Sequence, residues 1–171
     1  MKRLHHFISA VISASALLHY GTVLAAEPTA KDAEVGKWEL QLSKSHFCNA
    51  GAAPQKSARD IFDAGGGVLL IHWTGVDPKG KPVDIHYVLR YDGKKYAFPS
   101  DVADPAVYIS WKRVSPSEVA FIDWSKDGKK LAENTRTLSD DGHTMTQSTT
   151  AVDASGQKAA CTDKQVFERQ P

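Results

Sequence analysis

The chain holds two cysteines and two methionines, carries almost no net charge, and contains no apolar run long enough to span a membrane. Each shortage excludes something. Cys48 and Cys161 are too few and too far apart for the closely spaced thiol sets of zinc or redox motifs. A formal charge of +1 leaves no basic footprint for nucleic acid and no polybasic patch for a membrane surface. The serines lack the Gly-x-Ser-x-Gly elbow of many hydrolases, and Gly65-Gly66-Gly67 is not followed by a helical pattern that could cradle phosphate. Acid pairs such as Asp101 with Asp104, and Asp140 with Asp141, sit among Pro, Ser and Gly and read as turn chemistry, not as general acid and base. No catalytic residue is assigned, and no motif calls for a cofactor.

What is present begins with a charged start. Lys2 and Arg3 precede an apolar stretch from Phe7 to Leu18, and small residues follow at Ala25 and Ala26. That is the layout of a secretory signal over residues 1–26, cleaved near Ala25 or Ala26. It is shorter than the roughly 20 apolar residues of a membrane span. The expectation is a periplasmic or secreted protein with no stable membrane anchor. Residues 27–35 are polar and read as a flexible leader. Residues 36–171 then make one domain, large enough for a real core. In an oxidising compartment an even pair of cysteines reads as a disulfide, Cys48 with Cys161.

From Gly36 onward, turn signals recur at hairpin spacing: Asp77 to Gly80, Asp92-Gly93, Ser115-Pro116, Asp127-Gly128, Asp141-Gly142 and Asp153 to Gly156. Between them lie β-branched and aromatic runs of strand length, and no sustained helical period. The predicted fold is all-β, an antiparallel meander. A type I turn with a glycine bulge at Asp77 to Gly80 sets Trp73 against Ile85, Ile71 against Tyr87 and His72 against His86. A two-residue turn at Asp92-Gly93 sets Leu89 against Tyr96 and Tyr87 against Phe98. Treating Ser115-Pro116 the same way sets Ile109 against Ile122, while Asp141-Gly142 sets Leu138 against Met145 and Arg136 against Gln147. All these registers put large apolar residues on one face. Eight to ten short strands with one apolar face close best into a barrel, and a Cys48–Cys161 bridge fits a first strand lying beside the last.

Gly36-Lys37-Trp38 at the start of such a meander resembles the Gly-x-Trp signature of lipocalins and the wider calycin group. The pattern GKWELQLSKSHF, with YDGKKYAFPS and TRTLSDDGHTMTQ, is also similar to uncharacterised secreted bacterial proteins described as lipocalin-like. The resemblance implies a barrel whose floor is plugged by Trp38 and covered by an arginine from a late strand. Arg136, which shares the inward parity of Leu138, is preferred for that cover over Arg169.

Two sets of side chains then bear on function. Trp73, Tyr87, Phe98, Trp111 and Trp124 are expected on the inner face with Arg136 and Gln147. Together they would line a site for a small apolar or amphipathic ligand. His72 and His86 are expected opposite one another on the outer face, with Asp84 two residues along, a spacing that can hold a divalent metal. The leading expectation is an exported, non-catalytic ligand-binding barrel. The alternatives are an envelope protein-interaction or protease-inhibitor module with a protein partner, or a metal enzyme built on His72 and His86.

Overall fold

Asp77 does most of the work at the turn that runs to Lys81. Its Oδ1 accepts hydrogen bonds from the backbone N–H groups of Lys79 and Lys81, each at 2.8 Å, and its own N–H donates to the Lys81 carbonyl at 2.9 Å. Gly80 completes the turn at φ +85°, a conformation that favours glycine. The same backbone pattern recurs at Ser125 to Lys129 and Asp153 to Gln157, and a turn one residue longer closes Ser139 to Thr144. These tight reversals stack the strands as neighbours.

The computed structural model describes residues 32–99 and 106–171. The signal segment, most of the leader, and Asp101 and Asp104 lie outside the described residues. The strands are β1 (Gly36–Leu40), β2 (Lys56–Gly65), β3 (Val68–Val76), β4 (Pro82–Arg90), β5 (Asp92–Ala97), β6 (Tyr108–Ser115), β7 (Glu118–Trp124), β8 (Lys130–Leu138), β9 (Thr144–Ala151) and β10 (Asp163–Gln170). They form one antiparallel sheet in the order β4-β3-β2-β1-β10-β9-β8-β7-β6-β5. The first and last strands pair, Trp38 facing Arg169 and Leu40 facing Phe167. The Cys48–Cys161 disulfide ties the same junction covalently. The sheet curls into a nearly closed barrel whose core runs from Trp38 and Ile61 through Leu89 and Trp111 to Met145 and Phe167.

Closure is completed without a ladder. Asp92-Gly93 does not make the expected hairpin: β4 and β5 are the two edges of the sheet, and β5 pairs only with β6. Tyr87 and Phe98 still meet, edge to face at 5.1 Å between ring centroids, so aromatic packing bridges the seam where, among the described residues, no strand ladder does.

A second register departs from expectation by one residue. Ser115 pairs with Glu118, so Pro116 and Ser117 are the turn, and a bulge between Arg113 and Ser115 brings Trp111 opposite Phe121 and Tyr108 opposite Trp124. A one-residue slip turns every side chain of a strand over. Val119 and Phe121 therefore enter the core, while Trp124 faces outward. There its indole N–H donates to Ser110 Oγ at 2.9 Å and the Lys95 ammonium lies 3.7 Å from its ring. Trp124 is not a lining residue of the interior.

The floor is also corrected. Arg169, not Arg136, covers Trp38, its guanidinium carbon 4.2 Å from the indole ring. It is the direct register partner of Trp38, and it donates to the carbonyls of Gly142, Val35 and Ala33, each at 2.7 Å. Gly36 has φ +147°, and a Cβ there would run into the Arg169 guanidinium. The glycine of Gly-x-Trp thus makes room for the cation that seals the tryptophan. Nor is the end of the leader free. Glu34 and Val35 are buried, and the Glu34 carbonyl accepts the Trp38 indole N–H at 2.8 Å. Packing and hydrogen bonding at the floor hold residues that polarity alone reads as loose.

Candidate functional site: a cavity with two buried arginines

Period-two alternation sends Ser57, Arg59 and Ile61 of β2 inward, as it does Trp73 on β3, Trp111 on β6, Phe121 on β7, Asn134 and Arg136 on β8, and Gln147 on β9. These side chains surround an interior cavity of about 680 Å³. Trp73, Tyr87, Phe98, Ile109, Trp111 and Phe121 supply its apolar wall. Arg59, Asn134, Arg136 and Gln147 supply the polar one. Toward one end the lining passes to exposed residues, Gly51 and Ala52 on one side and Pro78 and Lys79 on the other.

Among the site residues read from the sequence, Trp73, Tyr87, Phe98, Trp111, Arg136 and Gln147 come together on this cavity. Trp124 does not. Arg59, Glu34 and Asn134 join the interior without having been singled out. Arg59 carried a usable signal, since it alternates with Ile61 in a strand opposite Trp73. Glu34 carried none, because it precedes the first strand.

The two arginines differ in their surroundings. Arg136 has a resident counter-ion: its Nη1 lies 3.0 Å from Glu34 Oε2, and its Nη2 donates to Gln147 Oε1 at 3.2 Å. Its guanidinium carbon is 4.8 Å from the Trp111 ring. Burial is the largest single influence and works against its charge, but Glu34, Tyr87 and Tyr91 together raise the Arg136 pKa above the ordinary value. Tyr91 also approaches Glu34, at 3.3 Å, and burial with that carboxylate pushes its phenol well above the usual range.

Arg59 has no carboxylate within ion-pair reach among the described residues. Its Nη1 donates to Gln147 Oε1 at 2.8 Å, and its guanidinium carbon lies 4.4 Å from the Phe167 ring and 5.9 Å from Trp73. Burial, and then the repulsion of Arg136, push its pKa down to about 10. The Nε atoms of both arginines and Asn134 Oδ1 are buried without a hydrogen-bond partner among the described residues. Arg59 therefore brings to the cavity wall, which Asp123 also lines, a cation without an adjacent counter-ion among the described residues, in a setting where an uncompensated charge is costly.

On the opposite face of the sheet the expected histidine pair is formed. His72 and His86 are direct partners on β3 and β4, their rings stacked with centroids 4.0 Å apart.

Comparison of the sequence with protein-family models and with curated proteins finds no match. The fold is similar to that of solved structures. Fatty-acid-binding protein 1 of Echinococcus granulosus is 12% identical over 82% of this chain and 100% of its own, with a TM-score of 0.56. The wild-type fluorescent protein UnaG is 16% identical over 80% of this chain and 97% of its own, with a TM-score of 0.55. At such identities the likeness shows the fold alone: a β-barrel, here of ten antiparallel strands.

Proposed function

We propose that the protein is an exported, non-catalytic barrel that binds a small amphipathic molecule with an anionic head, of which a fatty acid is the simplest type. The observation that carries this reading is Arg59, a buried cation on the cavity wall with no carboxylate partner among the described residues. A ligand carboxylate reaching Arg59 beside Gln147 would gain charge-assisted hydrogen bonds where water is excluded. Trp73, Tyr87, Phe98 and Trp111 would hold the apolar part. A volume of about 680 Å³ is within the range of small-molecule sites. The name of one structural relative, a fatty-acid-binding protein, agrees with this chemistry. The disulfide supports an oxidising compartment, in line with the signal read at residues 1–26.

The test is displacement of anilinonaphthalene sulfonate from the protein by a saturated fatty acid and by the alcohol of equal length, with native mass spectrometry to count bound molecules. The acid should compete better than the alcohol. Arg59→Met should weaken the acid by about tenfold or more and leave the alcohol unchanged, the difference being one charge-assisted bond. A wild-type protein that takes up neither probe nor acid overturns the proposal. So does an Arg59→Met variant that still prefers the acid.

A further inference from the structure

The outer face of β3 and β4 carries a cluster that the interior cavity does not use. His72 and His86 face each other in the ladder, and Asp84 stands one step along, opposite Thr74, on the same side of the sheet. Asp84 Oδ1 lies 2.8 Å from His72 Nε2 and 3.9 Å from His86 Nδ1, and one ligand atom from each residue falls within 4.8 Å of the others. A tetrahedral zinc-type ion with bonds of about 2.0 to 2.2 Å keeps its ligand atoms roughly 3.3 to 3.5 Å apart. The two distances to Asp84 lie either side of that value.

We propose that His72, Asp84 and His86 form a surface site for one divalent transition-metal ion of the zinc and copper class, independent of the interior ligand.

Three features support it. The antiparallel register fixes the three backbone positions, so little order remains to be imposed on binding. The side chains of His86 and Asp84 are 73% and 72% exposed, so small rotations can bring their atoms onto one centre without disturbing the core. Two imidazoles and one carboxylate suit zinc or copper and are a poor match for calcium or magnesium, which take oxygen ligands. Solvent would complete the coordination. Without a metal, the exposed His72–Asp84 contact contributes little to stability, so the convergence of these groups has no evident structural purpose.

Isothermal titration of the untagged protein with zinc chloride tests the proposal. One equivalent should bind per chain. His72→Ala and His86→Ala should each weaken binding by about tenfold or more, and Asp84→Asn by less, while His143→Ala, an exposed histidine elsewhere, should bind as wild type. Zinc should also raise the melting temperature of the wild type but not of His86→Ala, because an ion that binds only the folded state stabilises it by mass action. His86→Gln serves as a second variant should the alanine protein unfold, with the same loss expected. Absence of a stoichiometric heat in the wild type overturns the site, and so does unaltered affinity in His86→Ala or His86→Gln. Loss on His143→Ala or His46→Ala alone would place the ion elsewhere and equally refute it.

Discussion

Glu34 and Arg136 stand 102 positions apart and form an ion pair of 3.0 Å that is almost wholly sealed from solvent. Removing one member of such a pair strands the other. Glu34→Leu or Arg136→Met alone should therefore cost about 3 to 5 kcal/mol. The double variant, which leaves neither charge, should recover much of that loss. Urea unfolding of the two single variants and the double at pH 7 measures it, and additive losses would show that the two charges are not coupled.

Arg59 should behave in the opposite way. Its folded pKa, about 10, lies below the ordinary arginine value, so the folded state holds this proton less tightly than the unfolded chain does. The penalty is full below pH 10 and relieved as the pH rises from there toward the ordinary arginine value. Arg59→Met should accordingly raise stability at pH 7, by about 1 to 3 kcal/mol, while weakening the carboxylate ligand. Acid-probe affinity in the wild type should stay level from about pH 6 to 9 and fall as the pH passes 10, whereas the variant should bind weakly throughout. Parallel fluorescence titrations on the two proteins check both halves.

The floor gives a sharper test of side-chain geometry. Gly36→Ala sets a Cβ against the Arg169 guanidinium in a backbone conformation that alanine resists, and should cost about 1 to 3 kcal/mol. Arg169→Lys keeps the charge but cannot span three carbonyls at once, and should lose about 2 kcal/mol. Thermal unfolding, read beside the near-ultraviolet circular dichroism of Trp38, distinguishes a loosened floor from general damage.

Opening the disulfide frees a loop that spans 113 positions. The chain-entropy account assigns such a loop about 5 kcal/mol. Cys48→Ala with Cys161→Ala should lose up to that amount in urea. Reduction should lower the unfolding midpoint of the wild type and leave the double variant unchanged.

How much of this was legible beforehand follows from which turns carry their own instructions. Asp77 with Gly80 specifies a bulged turn through one carboxylate and one positive φ, so the β3–β4 register and the His72–His86 pair could be read directly. Asp141-Gly142 likewise set Leu138 against Met145 and Arg136 against Gln147. Pro116 is less informative, since a proline fits a turn that begins at Ser115 as well as one that ends at Ser117. The bulge that decides the matter has no residue signature, and Trp124 was misplaced with it. Asp92-Gly93 looks like a hairpin in isolation, yet the curl of the whole sheet leaves β4 and β5 at opposite edges. The choice between Arg136 and Arg169 turned on Glu34, a polar residue before the first strand. Its burial depends on contacts across the entire chain.

The unladdered seam has one more consequence, for solubility. Each of its two strands leaves a row of backbone donors and acceptors without a strand partner, the kind of edge on which another chain can add a strand. β4 opens with Pro82, which offers no N–H, and closes with Arg90; β5 carries Lys94 and Lys95, both exposed. Edge charges and an edge proline are devices that deter such pairing. A barrel that leaves its ring open at one joint thus guards that joint against becoming the first rung of an aggregate.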